Sequence, residues 1–430
     1  MKRSVKKLAL NILPFALLTV VLTVVAAGQE PGKIPLPTEE MTAVQPPNPT
    51  GSDPKPQDAM KAILAAFDQY EVVGMSAAHS NKDLDDFILN LIRNPQFPGR
   101  INDVVVECGN SLYQPTLDRY IAGEDVPLNE VRQVWRNTTQ PMCGVSAFYE
   151  QLFPLVRRIN QNLPPQKKLR MVAGDPPVDW SKVKSPKDYA QFMMRDPTIA
   201  FVMKNEVLSK HRKALMLFGL AHLYHVPDAS GIVNAVQLYE KDYPGVTLVI
   251  AEHIGFGGSG PLAQYNGKFE KRLASWPVPS LAPEMKGTWL ADLLDKTYSS
   301  GNIFFFGKGP DGKAPQPVPV EAKNKFSQMV DAYLYLGPRD LLLRESIPAE
   351  IFLNKGYMAE LQRRAAIMGL GPITDQTNPE KISDRDYTPF FYNETEQVIF
   401  FAPNAPPAGA SPGTSPKMSL RPTTPPPNQP

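Results

Sequence analysis

The stretch Asp103-Val104-Val105-Val106-Glu107-Cys108-Gly109-Asn110 decides how this chain is read. Its centre is three consecutive valines, the composition of a strand buried on both faces of a parallel sheet. The apolar run ends on a carboxylate, Glu107, and Gly109-Asn110 supplies a turn signal. An ionisable side chain at the carboxyl end of a buried strand stands where open α/β sheets hold their ligands. Three further runs have the same form. Val72 to Ala78 leads into His79, Leu169 to Gly174 into Asp175, and Ala214 to Ala221 into His222. Two imidazoles and two carboxylates are therefore expected on one rim of a sheet.

Outward from these strands, the intervening segments carry helical spacing. Asp58 to Tyr70 places Met60, Ile63, Leu64 and Phe67 on one face, and Asn81 to Arg93 does the same with Leu84, Phe87, Ile88 and Leu91. Tyr113 to Ile121, Leu128 to Arg136, Phe148 to Gln161, Asp188 to Met194, Ile199 to Arg212 and Ile232 to Lys241 also read as helices. Val246 to Ala251 reads as a fifth strand, ending at Glu252-His253, and Met329 to Gly337 as a late return to the sheet. Strand alternating with helix predicts an α/β fold of right-handed βαβ units, a mainly parallel central sheet flanked by helices. Gly255 to Pro283 carries no readable pattern.

The chain has 430 residues, 42 % of them hydrophobic, enough for one large domain with tails. Its 46 prolines cluster outside the expected core. Residues 29–57 read as a Pro-rich linker, 58–370 as the α/β domain, 371–403 as a C-terminal extension and 404–430 as a disordered Pro-rich tail. At the start, Lys2, Arg3, Lys6 and Lys7 precede an apolar run from Leu8 to Ala27 that closes on Ala26-Ala27-Gly28. This has the three parts of a secretory signal and also the length of a membrane span, so residues 1–28 are a signal peptide or an N-terminal anchor. Either way the remainder is expected outside the cytoplasm, periplasmic or secreted, with membrane contact only through that segment. A net charge of +2 offers no footprint for nucleic acid, leaving a small-molecule substrate as the expected partner. The two cysteines, Cys108 and Cys143, are too few for a tetrahedral zinc site. Cys108 reads as a small buried hydrophobe, and whether the two pair is a matter of distance.

Histidine beside carboxylate suits general acid–base chemistry, because burial and pairing bring either group near neutrality. The same donors could hold a divalent metal. No Gly-rich phosphate loop follows the first strand and no Gly-x-Ser-x-Gly occurs. His79, Glu107, His222 and Asp175 are the candidate catalytic residues, and Ser76, Asn110, Asp179 and Arg195 the candidate substrate contacts. Blander readings stand beside these. His79 could cap a helix, Glu107 could be a salt-bridged carboxylate, Asp175 could fix a turn, and Arg195-Asp196 could be a local ion pair. His225 and His253 read as surface histidines, and His211, between Lys210 and Arg212, as solvated.

The order of these elements resembles a family. A strand leading to His79, the Val-Val-Val-Glu strand, Tyr113-Gln-Pro-Thr-Leu-Asp-Arg-Tyr-Ile-Ala-Gly-Glu-Asp-Val-Pro127 and Leu169-Arg-Met-Val-Ala-Gly-Asp-Pro-Pro-Val-Asp-Trp180 are similar to exported bacterial proteins of the erythromycin-esterase-like, ChaN-like and TIKI/TraB superfamily. The similarity runs from about Asp58 to Gly369 and includes Asp331-Ala-Tyr-Leu-Tyr-Leu-Gly-Pro338. Members carry Gly-Glu-x-x-His or Gly-x-x-His after the first strand. Here the histidine matches His79, while the glutamate falls on Ser76 and the glycine on Met75. A second Gly-x-x-His is intact as Gly219-Leu220-Ala221-His222. The resemblance implies that His79, Glu107 and His222 line one cleft. Esterase-like members activate water with His and Glu and need no metal, TIKI-like members are metal-dependent proteases, and ChaN-like members bind haem. The expectation is ester or acyl hydrolysis without a cofactor, with His79 as base, Glu107 orienting it or the water, and His222 polarising the substrate or acting as acid. The alternatives are a non-catalytic haem- or metal-binding protein, with His79, Glu107 and His222 as metal ligands, or a TIKI-like metalloprotease. Ser76 supplies neither a strong base nor a good metal ligand, which weakens both hydrolytic readings.

Overall fold

The computed structural model describes residues 48–77, 81–228, 231–255, 265–298, 302–303, 318–319, 323–343, 345 and 347–370, all within the unit Met1–Thr377. The N-terminal apolar segment, His79 and the Pro-rich tail lie outside the described residues.

Eight strands form one sheet: β1 (Gln57–Asp58), β2 (Val72–Ser76), β3 (Asp103–Asn110), β4 (Arg170–Asp175), β5 (Ala214–Phe218), β6 (Thr247–Glu252), β7 (Ser280–Ala282) and β8 (Ala332–Tyr335). Their order across the sheet is β1-β7-β8-β6-β2-β5-β3-β4. The six strands from β8 to β4 are mutually parallel, while β7 and β1 close one edge antiparallel. The expected architecture, a mainly parallel sheet flanked by helices, is the one observed. What the expectation lacked is the antiparallel edge, built from strands of three and two residues.

All eight residues of β3 are buried, as a central strand covered on both faces requires. Alternation divides the side chains. Val73, Met75, Val104, Val106, Leu215 and Leu217 pack one face beneath the helices Ala59–Ala66, Lys82–Arg93, Gln114–Ala122 and Ala147–Gln161. Val72, Val105, Ala214, Met216, Phe218 and Val249 pack the other beneath Arg195–Val202, Ala235–Glu240 and Trp289–Tyr298. The helix Lys82–Arg93 starts where Asn81 accepts the Leu84 N–H at 3.2 Å, and Asp83 and Asp85 complement its first turn. Ile199 to Arg212, expected as one helix, instead runs as Arg195–Val202, a wider π turn and a final tight turn that ends on His211 at φ 50°. At Gly109 the backbones of β3 and β4 come so close that a Cβ there would sit 2.8 Å from the Ala173 Cα. The register shift between Val106 and Asn110 falls at the same place, so the carboxyl end of β3 is bent beside the site.

Candidate active site at the carboxyl edge of the sheet

Because β2, β5, β3 and β4 are parallel neighbours, their carboxyl ends share one edge. Glu107 comes from β3, Asp175 ends β4, and Ser76 ends β2. After β5, Gly219 opens a single tight turn, Leu220–His222, closed by the His222 N–H donating to the Gly219 carbonyl at 2.9 Å. This turn brings His222 back over the edge. Opposite it, the helix Arg195–Val202 presents Arg195 and Asp196 from its first turn.

Arg195 is the hub. Its Nη1 donates to Glu107 Oε1 at 2.7 Å, its Nε donates to Asp175 Oδ1 at 2.9 Å, and Nη1 lies 3.2 Å from His222 Nε2. Nη2 is 2.8 Å from Asp175 Oδ1 as an ion pair but makes no aligned hydrogen bond. Glu107 is 2 % exposed, Asp175 0 % and Arg195 7 %. Burial alone would favour loss of the guanidinium proton; Asp175 and Glu107 outweigh it and hold Arg195 above the ordinary arginine range. Burial pushes the Asp175 carboxyl up, and Arg195 and Thr139 pull it back. The remaining oxygens are also engaged. Glu107 Oε2 accepts the Gly219 N–H at 2.6 Å, and Asp175 accepts the Thr139 N–H at 2.5 Å and hydroxyl at 2.7 Å. A side chain on Gly219 would press its Cβ to 3.3 Å from that Glu107 oxygen, which accounts for glycine there.

His222 has one defined tautomer in this arrangement. A guanidinium only donates, so Nε2 must be the acceptor and the proton sits on Nδ1. Nδ1 then donates to Asp196 Oδ1 at 2.8 Å, and the same oxygen accepts the Ala235 N–H at 2.8 Å. With side chains 15 % and 16 % exposed, His222 and Asp196 are the solvent-reachable members of the group. The product is a carboxylate–imidazole pair presenting a lone pair beside a buried cation, which suits proton abstraction next to a developing negative charge.

The other candidates fall as follows. Asn110 is fully buried, and its amide nitrogen donates to the carbonyls of Asn137 and Val178 at 2.7 and 2.8 Å while its oxygen accepts the Leu112 N–H, so it ties loops beneath the site. Asp179 accepts the Ser181 N–H and hydroxyl and pairs with Lys182 at 3.0 Å, a surface turn. Arg195 and Asp196 serve different partners rather than each other. Ser76 is 5 % exposed and hydrogen-bonds the Glu252 carboxyl. His253, expected at the surface, is buried, and His225 is half-buried. His225 lies between Glu240 and Asp331, and His253 between Tyr333 and Glu270. Thr139 and Glu252 went unrecognised. Thr139 has no neighbouring signal in sequence, whereas Glu252 ends a strand just as Glu107 does. Cys108 and Cys143 are joined as a disulfide with a Cα–Cα distance of 5.3 Å, fixing the residue after Glu107 to the loop that carries Thr139.

A divalent ion between Glu107 and His222 does not fit this donor set, since Arg195 Nη1 already stands within 3.2 Å of both. Nor do His225 and His253 offer a ring nitrogen for haem, because each has both nitrogens engaged.

The fold is that of an α/β protein, with a histidine, an arginine and carboxylates gathered at the carboxyl ends of its parallel strands. No protein-family model and no curated protein matches the chain. Among solved structures it is similar to a succinoglycan biosynthesis protein, with TM-score 0.46, 10 % identity and coverage of 67 % of this chain and 94 % of that one. It is similar also to a mutant erythromycin esterase EreC in its open conformation (0.39, 12 %, 64 % and 92 %) and to haem-bound ChaN of Campylobacter jejuni (0.29, 13 %, 47 % and 88 %). Erythromycin-esterase-like and ChaN-like proteins are the groups the sequence resembles. At TM-scores below 0.5 these likenesses assign no chemistry to this chain.

Proposed function

We propose that the chain is an exported hydrolase of small-molecule ester or acyl bonds. The observation that carries this reading is the Asp196–His222 pair, with Nδ1 fixed as donor and Nε2 left as acceptor beside Arg195. A water replacing the Arg195 contact at Nε2 gives its proton to His222, and Asp196 stabilises the imidazolium that forms. The freed Arg195 N–H then faces the oxyanion. Glu107 acts through others, holding Arg195 with one oxygen and the Gly219 turn with the other. His79, three residues beyond β2, is the second imidazole of the reading and rests on the sequence alone. Export is supported by the N-terminal pattern of basic, apolar and small residues and by the Cys108–Cys143 disulfide, a bond that persists in oxidising compartments.

The test is hydrolysis of a panel of p-nitrophenyl and aliphatic esters by the purified protein. His222→Asn is expected to lower kcat by roughly 10²–10⁴-fold with folding intact, as loss of a general base does. Unchanged turnover in that variant would refute the assignment.

A further inference from the structure

A cleft of about 560 Å³ opens at the opposite edge of the sheet, where β3, β4 and β5 begin. Its volume is that of a small-ligand pocket. Four segments of chain wall it: Phe67 and Asp68 after the helix Ala59–Ala66, residues 98–102 before β3, Gln166 and Lys167 before β4, and His211 and Lys213 before β5. Glu107 lies four residues along β3 from Asp103, about 13 Å at the rise of a strand, so the cleft is separate from the histidine site.

Cations outnumber anions around it. Arg100, Lys167 and Lys213 stand against one carboxylate, Asp68. Arg100 is committed: its Nη1 donates to Asp68 Oδ1 at 2.7 Å and to the Leu64 carbonyl at 3.2 Å. Lys213 Nζ donates to the Phe67 carbonyl, which leaves its charge unneutralised. Among the described residues, the side chains of Lys167, Gln166 and His211 have no hydrogen-bond or ion-pair partner. The backbone that carries these groups is fixed. Asn102 Oδ1 accepts the Lys213 N–H at 2.9 Å, the Arg170 N–H donates to the Asn102 carbonyl at 2.9 Å, and Arg212 holds buried Asp103 through two bonds of 2.6 Å. His211 reaches the cleft against the preference of its backbone. Among the described residues it alone, apart from glycines, has a positive φ, 50°. Its N–H donates to the Leu208 carbonyl at 3.0 Å and the Arg212 N–H to the Val207 carbonyl at 3.1 Å, the helix-closing pattern that glycine usually completes. Backbone strain of this kind gathers at ligand sites, and so do π turns such as Met203–Val207, which directly precedes it. Glycine would close the turn at lower cost, but no imidazole would then line the cleft.

We propose that this cleft is a second ligand site, which binds a phosphate monoester of about sugar size. A planar carboxylate is met best by a guanidinium fork, and the one guanidinium lining the cleft is already held by Asp68. The donors that remain are two ammonium groups, an amide and an imidazole, reaching in from separate segments. Such point donors suit a phosphate, whose oxygens face several directions at once. The volume exceeds that of the phosphate alone and leaves room for a hexose behind it.

The experiment is calorimetric titration of the full chain at low salt with glucose 6-phosphate, inorganic phosphate, glucose and succinate. Glucose 6-phosphate should bind, inorganic phosphate should compete with it, glucose should not bind, and succinate should bind more weakly. Binding should weaken as salt is added, because the contacts are charged and open to solvent. A hydrogen bond to a charged group is worth about tenfold or more in affinity, so Lys167→Gln and His211→Gly should each weaken glucose 6-phosphate roughly tenfold. The urea midpoint of His211→Gly should stay level or rise, since glycine is the residue this turn prefers, so that weaker binding reports the lost imidazole and not a damaged fold. His222→Asn, at the other edge, should bind as wild type does. No binding of glucose 6-phosphate, succinate binding as tightly, unaltered affinity in Lys167→Gln or His211→Gly, or loss of binding in His222→Asn would each overturn the proposal.

Discussion

Replacing Arg195 by Met tests the charge network without requiring a substrate. The methionine fills similar space but leaves two carboxylates, Glu107 at 2 % and Asp175 at 0 % exposure, without their shared cation. Breaking a buried ion pair by removing one partner costs about 3–5 kcal/mol, a large part of the 5–15 kcal/mol that holds a typical domain. The orphaned groups keep some donors, Gly219 N–H for Glu107 and Thr139 for Asp175, so the lower half of that range is expected. The cost also depends on pH. Burial already holds the Asp175 carboxyl above its ordinary value, and without Arg195 only Thr139 is left to oppose it. A group whose folded pKa is raised contributes stability that is present below its unfolded pKa and lost as pH rises through the folded one. The variant's deficit should therefore be largest near neutrality and shrink as pH falls towards about 4. Urea unfolding of wild type and variant between these limits measures it. Adding Glu107→Gln and Asp175→Asn to the variant should return at least half of the loss at neutral pH. A deficit under about 1 kcal/mol, the worth of a surface pair, or one that does not change with pH, would refute the buried network.

Three further outcomes are expected. Removing the disulfide as Cys108→Ser with Cys143→Ser frees a loop of sequence separation 35, worth about 4 kcal/mol in the chain-entropy account, and a smaller loss in urea midpoint would show that the loop is held by its other bonds. His225 is raised from 6.5 to about 9, burial being outweighed by Asp331 and Glu240. Its stabilisation is complete below pH 6.5 and lost as pH rises through about 9, so His225→Gln should be costly in acid, by up to about 3 kcal/mol, and nearly neutral above pH 9 in thermal unfolding. Gly109→Ala forces a methyl against the β4 backbone at 2.8 Å and should cost about 1–3 kcal/mol, with a neutral result denying the close approach.

The parallel strands were legible because a strand buried on both faces needs an uninterrupted apolar run, and β2 to β6 each have one. β1 and β7, two and three residues long, are too short to carry a period; β7 pairs with the edge that β8 offers, and β1 with β7. His253 was misread because a histidine after a strand looks solvated. Its burial depends on Glu270 and Tyr333, 17 and 80 residues away, which satisfy both of its nitrogens. Thr139 reaches Asp175 across 36 residues with no local pattern to mark it.

Arg195-Asp196 is the instructive case, since its correct reading was within reach of elementary geometry. Adjacent residues on a helix point about 100° apart and do not face one another, so a local ion pair between them is disfavoured wherever a helix begins. Each must then find a partner elsewhere, and a helix whose first turn faces the sheet's carboxyl edge offers two. Arg195 takes the carboxylates that β3 and β4 leave buried, and Asp196 takes the imidazole that follows β5. Opposite charges side by side in sequence thus divide the edge into a cation that holds the strand ends and an anion that sets a histidine tautomer. The same geometry explains why His222 faces Arg195 with its lone pair: the Asp196 contact fixes the proton on the opposite side of the ring, and Nη1 of the guanidinium, anchored on Glu107 by one N–H, turns its other towards the ring.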